Sequence, residues 1–158
     1  MRKGIAMNAI QFIQSTLFEL NRSYVIEVTP LTSEQFYFRP AEQANSIAFL
    51  LWHFSRVQDN TFHRLNSPDG RPTVWEREAW QTHFPNIAHE TGAGFTADQV
   101  SAFHPDKQEL VNYVEAVRLS VQEGLVGMTD DDLDRPISPN DPKVTVGRQI
   151  QSIIVGHG

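Results

Sequence analysis

The 158-residue sequence contains no cysteine. That absence excludes disulfides, thiolate metal sites and a cysteine nucleophile, and it leaves histidines and carboxylates as candidate metal ligands. Positive charge is also scarce, with 13 Lys and Arg against 19 Asp and Glu and a formal net charge of −6. Nucleic-acid binders draw much of their affinity from phosphate neutralisation by a dense cationic face. The nearest approach to one is Arg56 and Arg64 with Asp59 between them. That pattern reads as a solvated helix face, and no nucleic-acid partner is expected. The longest apolar run, Ile47 to Trp52, falls far short of the roughly 20 residues that span a bilayer. The apolar patch behind Arg2-Lys3 is broken at Asn8 and Gln11, too early for a signal peptide. No membrane partner is expected, and the cytoplasm is the expected compartment. No P-loop, G-x-G-x-x-G, G-x-S-x-G elbow or H-E-x-x-H pair occurs, so nucleotide, serine-hydrolase and zincin readings have no support.

What is present is ordinary globular material. Hydrophobic residues make up 40% and charged residues 20%, and a chain of this length can bury a core as a single domain, residues 1–158. From Asn8 to Val28, the residues Ile10, Ile13, Leu17, Leu20, Tyr24 and Val28 recur at three- and four-residue spacing, with Phe12 and Phe18 widening the stripe; that period predicts a helix. Pro30 ends it, and Leu31 to Ala44 reads as a connector. A second helix is predicted from Asn45 or Ser46 to Leu65, with Ile47, Leu50, Leu51, Phe54, Thr61, Phe62 and Leu65 on one face. The run 66–70 stops it with turn-forming residues.

Residues 66–104 are rich in Pro, Gly and large aromatics. They read as a long crossover that packs on the bundle and carries short helices near Trp75–Thr82 and Ala97–Phe103, the latter with a Thr96/Gln99 capping box. A third helix is predicted from Pro105 to Met128 through Leu110, Tyr113, Val114, Val117, Val121 and Leu125. The Asp130-Asp131-Asp132 run suits a helix start. A Pro136, Pro139, Pro142 loop follows, and Thr145 caps a last helix on which Val146, Ile150, Ile153, Ile154 and His157 share a face. Four amphipathic segments with one long crossover predict an all-α four-helix bundle.

Of the six histidines, two sit where chemistry is conceivable. His53 lies at the edge of the second helix's apolar stripe, flanked by Arg56 and Asn60 as further pocket residues. A metal ligand or a boundary histidine bonded to a carbonyl both suit it. His157 falls within the last helix's stripe, where a polar group needs a partner; a metal or a buried hydrogen bond would serve. His63 is expected to face solvent. His83 and His89 lie in the crossover without a helical ligand pattern, and His104 reads as a helix-boundary residue.

The stretch from Arg39 to Asn60, centred on Ser46-Ile47-Ala48-Phe49-Leu50-Leu51-Trp52-His53, resembles the second-helix signature of the DinB/YfiT-like family. Val74-Trp75-Glu76 with Ala79-Trp80 and Phe84 resembles the crossover of one subgroup. Thr145-Val146-Gly147, leading into Ile153 and His157, resembles the last helix. The likeness runs from about residue 8 to 158.

The resemblance implies a four-helix bundle and a divalent metal, nickel or zinc, held by three histidines. His53 matches the ligand from the second helix and His157 the first of two from the last. The second would lie four residues on, beyond Gly158, so the last helix reads as truncated and the metal as conditional on a third ligand from water, a carboxylate or another chain. The implied activity is transfer of a low-molecular-weight thiol to a small-molecule substrate, or metal-assisted hydrolysis. A non-enzymatic helical-bundle module for binding or homodimerisation, with no functional metal site, is the competing class.

Overall fold

The computed structural model describes residues 7–66, 72–84, 91–138 and 141–156. His89, His157, Pro85, Pro139 and residues 67–70, where a turn was expected, lie outside those residues. Helix α1 (Ala9–Val28) opens on an Asn8/Gln11 capping box. Its first amides are also capped from far along the chain: Ile10 N–H donates to the Asp130 carboxylate at 2.9 Å. Ile10, Leu17 and Val28 are buried, and Ile13, Leu20 and Tyr24 pack at the margin. Phe12 was expected in this stripe but is 60% exposed; one step around the helix from Ile13 carries it out of the contact face.

The connector is not wholly irregular. It holds α2 (Ser33–Tyr37), started by a Thr32/Gln35 capping box, and this one-turn helix places Phe36 in the core.

Helix α3 (Ile47–Asn66) is the spine of the molecule. Its buried set includes Ala48, Phe49, Leu51, Trp52, Phe54, Ser55, Arg56, Gln58 and Asp59, far more than one stripe. Ile47 and Leu50, expected at the head of the apolar face, are 39% and 49% exposed. The reason is that α3 is covered on two sides, by the long helices and by the crossover. What it leaves open is the strip through Ile47, Leu50, His53, Val57, Asn60 and Arg64.

The crossover contains α4 (Val74–Arg77), a 3-10 turn at Trp80–Thr82 and α5 (Ala97–Ser101). The single short helix expected at Trp75–Thr82 is split at Ala79, whose φ of 55° is left-handed and cannot continue a helix. The aromatic side chains of the crossover pack inward: Trp75 stacks on Phe84 at 5.3 Å and meets Tyr113 edge-on at 5.1 Å.

Helix α6 (Lys107–Leu125) starts two residues later than Pro105 suggested, because Asp106 is the cap. It ends before Met128, where Val126 is extended and Gly127 takes a φ of 81°. Its stripe Leu110, Tyr113, Val114, Val117, Val121 and Leu125 is buried as the period requires. A 3-10 turn at Asp130–Asp134, capped by Thr129, leads to α7 (Val146–Gly156). Helix α6 packs chiefly on α3 and α1, and α7 packs on α3 and the 3-10 turn. The architecture is an all-α bundle of α1, α3, α6 and α7. No strand occurs among the described residues, only an isolated bridge between Pro136 and Thr145. No helix among them is long and apolar enough to cross a membrane.

Candidate functional site

A cavity of about 580 Å³ opens where the end of α1, the start of α3 and the end of α7 meet. Tyr24 and Val28 come from α1, Ile47, Leu50, Leu51, His53 and Phe54 from α3, Asn45 from the connector and Gly156 from α7. Phe54 and Leu51 are buried, and Tyr24 meets Phe54 edge-on with ring centroids 4.9 Å apart. Burial raises the Tyr24 phenol above its ordinary pKa, so it stays protonated and able to donate a hydrogen bond at neutral pH.

His53 is half-buried on this wall. Its Nδ1 lies 2.6 Å from the Thr91 carbonyl. A carbonyl only accepts, so Nδ1 carries a proton, and in the neutral ring the lone pair then falls on Nε2. The ring is parallel to Phe49, at an interplanar angle of 2°. Gly92, next to Thr91, has a φ of +86°, and a Cβ there would stand 2.6 Å from Trp52 and 2.8 Å from Phe49. Glycine is needed at this position for both reasons. It lets the crossover lie flat on two aromatic rings and bring the Thr91 carbonyl to His53.

Arg56 and Asn60 were candidates for the same pocket. Neither lines the described cavity. Arg56 is buried one turn along, with its guanidinium 3.3 Å from Asp59, 3.4 Å from the Tyr113 hydroxyl and stacked 4.5 Å over Trp75. Asn60 is half-buried on the open strip of α3.

The solvated face expected for Arg56 and Asp59 is thus a buried ion pair, with side chains 4% and 2% exposed. Asp59 accepts from the amides of Val74 at 2.9 Å and Trp75 at 3.0 Å and from the Tyr113 hydroxyl at 3.0 Å. Burial first, and then the Asp59 charge beside it, push the Tyr113 phenol well above its ordinary pKa. Sequence periodicity counted these charges as surface. The signal that could have found them is Thr73-x-x-Glu76, a capping box announcing a helix start that the crossover brings against α3.

The other described histidines, His63, His83 and His104, stand apart from the His53 cavity. His63, expected in solvent, is half-buried and lines a separate polar cleft of about 310 Å³ with Arg77, Ser120 and Glu123. His83 lies 3.1 Å from Glu109 on the surface, and His104 rests against the Tyr37 ring at 4.8 Å.

A histidine-held metal with an open position needs about three protein ligands. Among the described residues no group of three or more His, Asp or Glu side chains converges to hold one. On the cavity wall His53 has the right donor chemistry and is the described imidazole. Gly156, the sequence neighbour of His157, lines the same cavity.

Comparison with known proteins fits this architecture. The sequence profile of the DinB superfamily matches residues 17–157. A crystal structure of a conserved protein from Enterococcus faecalis superposes with a TM-score of 0.75 at 23% identity, over 96% of this chain and 92% of that one. At that identity the likeness is one of fold. No curated protein matches the chain.

Proposed function

The chain belongs to the DinB superfamily, and from that premise we propose that it is a metal-dependent enzyme whose working site is the His53 cavity. In this reading His53 and His157 hold a divalent nickel or zinc ion, and water, a carboxylate or another chain completes the set. The observation that supports it is the meeting of His53 and the end of α7 at one cavity, with Gly156 on its wall. The Nδ1–H bond to the Thr91 carbonyl is the contact that metal-ligating histidines commonly make with their second nitrogen, because it fixes the tautomer and aims the other nitrogen.

The described residues supply one ligand rather than a set. When bound, such an ion lowers the pKa of a coordinated thiol or water, which suits transfer of a low-molecular-weight thiol or hydrolysis. The protein's own part is legible without it. Val28, Leu51 and Phe54 keep water from the cavity floor, and the protonated Tyr24 phenol can donate to a developing negative charge.

Elemental analysis of purified protein tests the reading, with His53→Ala and His157→Ala beside it. The expected result is near-stoichiometric nickel or zinc that falls in both variants, together with acceleration of thiol addition to a generic electrophile. Negligible metal, or metal indifferent to both substitutions, removes the metalloenzyme. A second reading, a binding or homodimerisation module, is favoured by the exposure of Ile47 and Leu50 beside the cavity. It is the reading left if metal is negligible.

A further inference from the structure

The His53 cavity is graded in polarity from floor to rim, and the gradient narrows what can occupy it. Leu51 and Phe54 are each 5% exposed, whereas Ile47 and Leu50, on the same wall, are 39% and 49% exposed. Apolar side chains therefore run without interruption from the buried floor to open solvent. A cavity of about 580 Å³ lies within the usual 300–1,000 Å³ of small-molecule sites. No Asp, Glu, Lys or Arg is among its described lining residues, so in the metal-free protein none of these side chains compensates a buried ligand charge. The polar equipment is confined to His53, Tyr24 and Asn45. The Tyr24 hydroxyl is protonated at neutral pH, and His53 presents an imidazole held in one tautomer by Thr91.

Resting on the reading that this cavity is the working site, we propose that its ligand is an uncharged small molecule with an alkyl or aryl body and a single hydrogen-bonding head. The body lies along Leu50, Leu51, Val28 and Phe54, and the head meets Tyr24 and His53. The aromatic floor and the rim leucine contribute affinity in proportion to the apolar surface they cover. The head fixes orientation.

The test is a titration of chelator-treated, metal-free protein with phenol and its 4-methyl, 4-ethyl, 4-propyl and 4-butyl derivatives, followed by amide chemical shifts. Each added methylene that enters the cavity should tighten binding about fourfold, with shifts concentrated at Tyr24, Val28, Leu51 and Phe54. Leu50→Asp puts a charge on an already exposed rim position and should abolish the increment, and Ile47→Ser should reduce it. Tyr24→Phe should weaken every member of the series by a similar factor of roughly two to ten and leave the increment intact. Affinity that is flat along the series, an increment that survives Leu50→Asp, or shifts centred elsewhere would overturn the proposal. Metal content separates this result from the parent reading. Metal bound at the site with a flat series sinks the ligand class alone, whereas an alkyl increment in protein that takes up no metal leaves the ligand class standing and sinks the metalloenzyme.

Discussion

Replacing Asp59 should cost the protein a large fraction of its stability, although it lies outside the cavity. Its carboxylate accepts from the Val74 and Trp75 amides at 2.9 and 3.0 Å, from the Tyr113 hydroxyl at 3.0 Å and from Arg56 at 3.3 Å. Asp59→Ala removes all of these and takes the Asp59 charge away from the buried Arg56 guanidinium. Breaking one partner of a buried pair costs about 3–5 kcal/mol. Arg56 keeps its stacking on Trp75 and its contact with Tyr113, so the lower end, about 3 kcal/mol, applies. Against a total stability of about 5–15 kcal/mol, that is a large fraction.

Asp59→Asn should do little better. An amide offers one acceptor oxygen and would turn its NH₂ toward groups that are themselves donors. The double variant Arg56→Met/Asp59→Leu should lose less than Asp59→Ala, because no charge is stranded. Urea unfolding followed by tryptophan fluorescence and far-ultraviolet circular dichroism measures each. A loss below about 1 kcal/mol for Asp59→Ala, or a double variant worse than the sum of its singles, would refute the assignment of this pair as the latch of the crossover.

Gly92→Ala should cost about 2–4 kcal/mol, from a left-handed backbone that an alanine resists and from a Cβ driven into Trp52 and Phe49; a thermal midpoint within about 2 °C of wild type, where about 4 °C or more is expected for a domain of this size, would contradict the close approach. Asn21 and Gln58 exchange reciprocal amide hydrogen bonds at 3.0 and 2.8 Å in the core. Asn21→Ala should lose about 1–3 kcal/mol by orphaning Gln58, whereas Asn21→Leu/Gln58→Met should recover most of it, and equal losses in the two denaturation curves would remove the pair from the account. The Thr73 amide holds the Glu76 carboxyl below its usual value near 4.5. A depressed folded-state pKa gives stability that is complete above the unfolded value and lost as pH falls through the folded one. Glu76→Gln retains a capping side chain and should flatten the fall in stability below about pH 4.5; an unchanged acid slope would show that this carboxyl does not contribute.

The long helices were legible because each buries one periodic face, and α1, α6 and α7 follow that rule. Helix α3 does not, and there the sequence reading failed in an instructive way. Periodicity assigns Arg56 and Asp59 to water because it knows only one partner face. The second face exists only once Trp75, Phe84 and Phe95 come back across the helix. The same blindness put Ile47 and Leu50 in the core, where the structure has them on the rim of a cavity. Helix α2 was missed although Thr32-x-x-Gln35 spelled its start, since one turn is too short to show a period. His53 stood out through resemblance and through its place on the stripe edge. Its Thr91 partner, 38 residues away, has no local signature.

Both anchors of the crossover fall on α3, and this ties stability to the site. At one, Asp59 holds the Val74 and Trp75 amides. At the other, Phe49 and Trp52 receive Gly92 while His53 bonds Thr91. The tautomer of His53 is therefore set by a segment whose position depends on a buried ion pair that touches no ligand. Local opening of such a segment needs less free energy than global unfolding. Damage at Asp59 should then reach His53 before it reaches the helices. A crossover read from sequence as a connection between two long helices is, in the folded molecule, the part that orients the one described imidazole of the cavity.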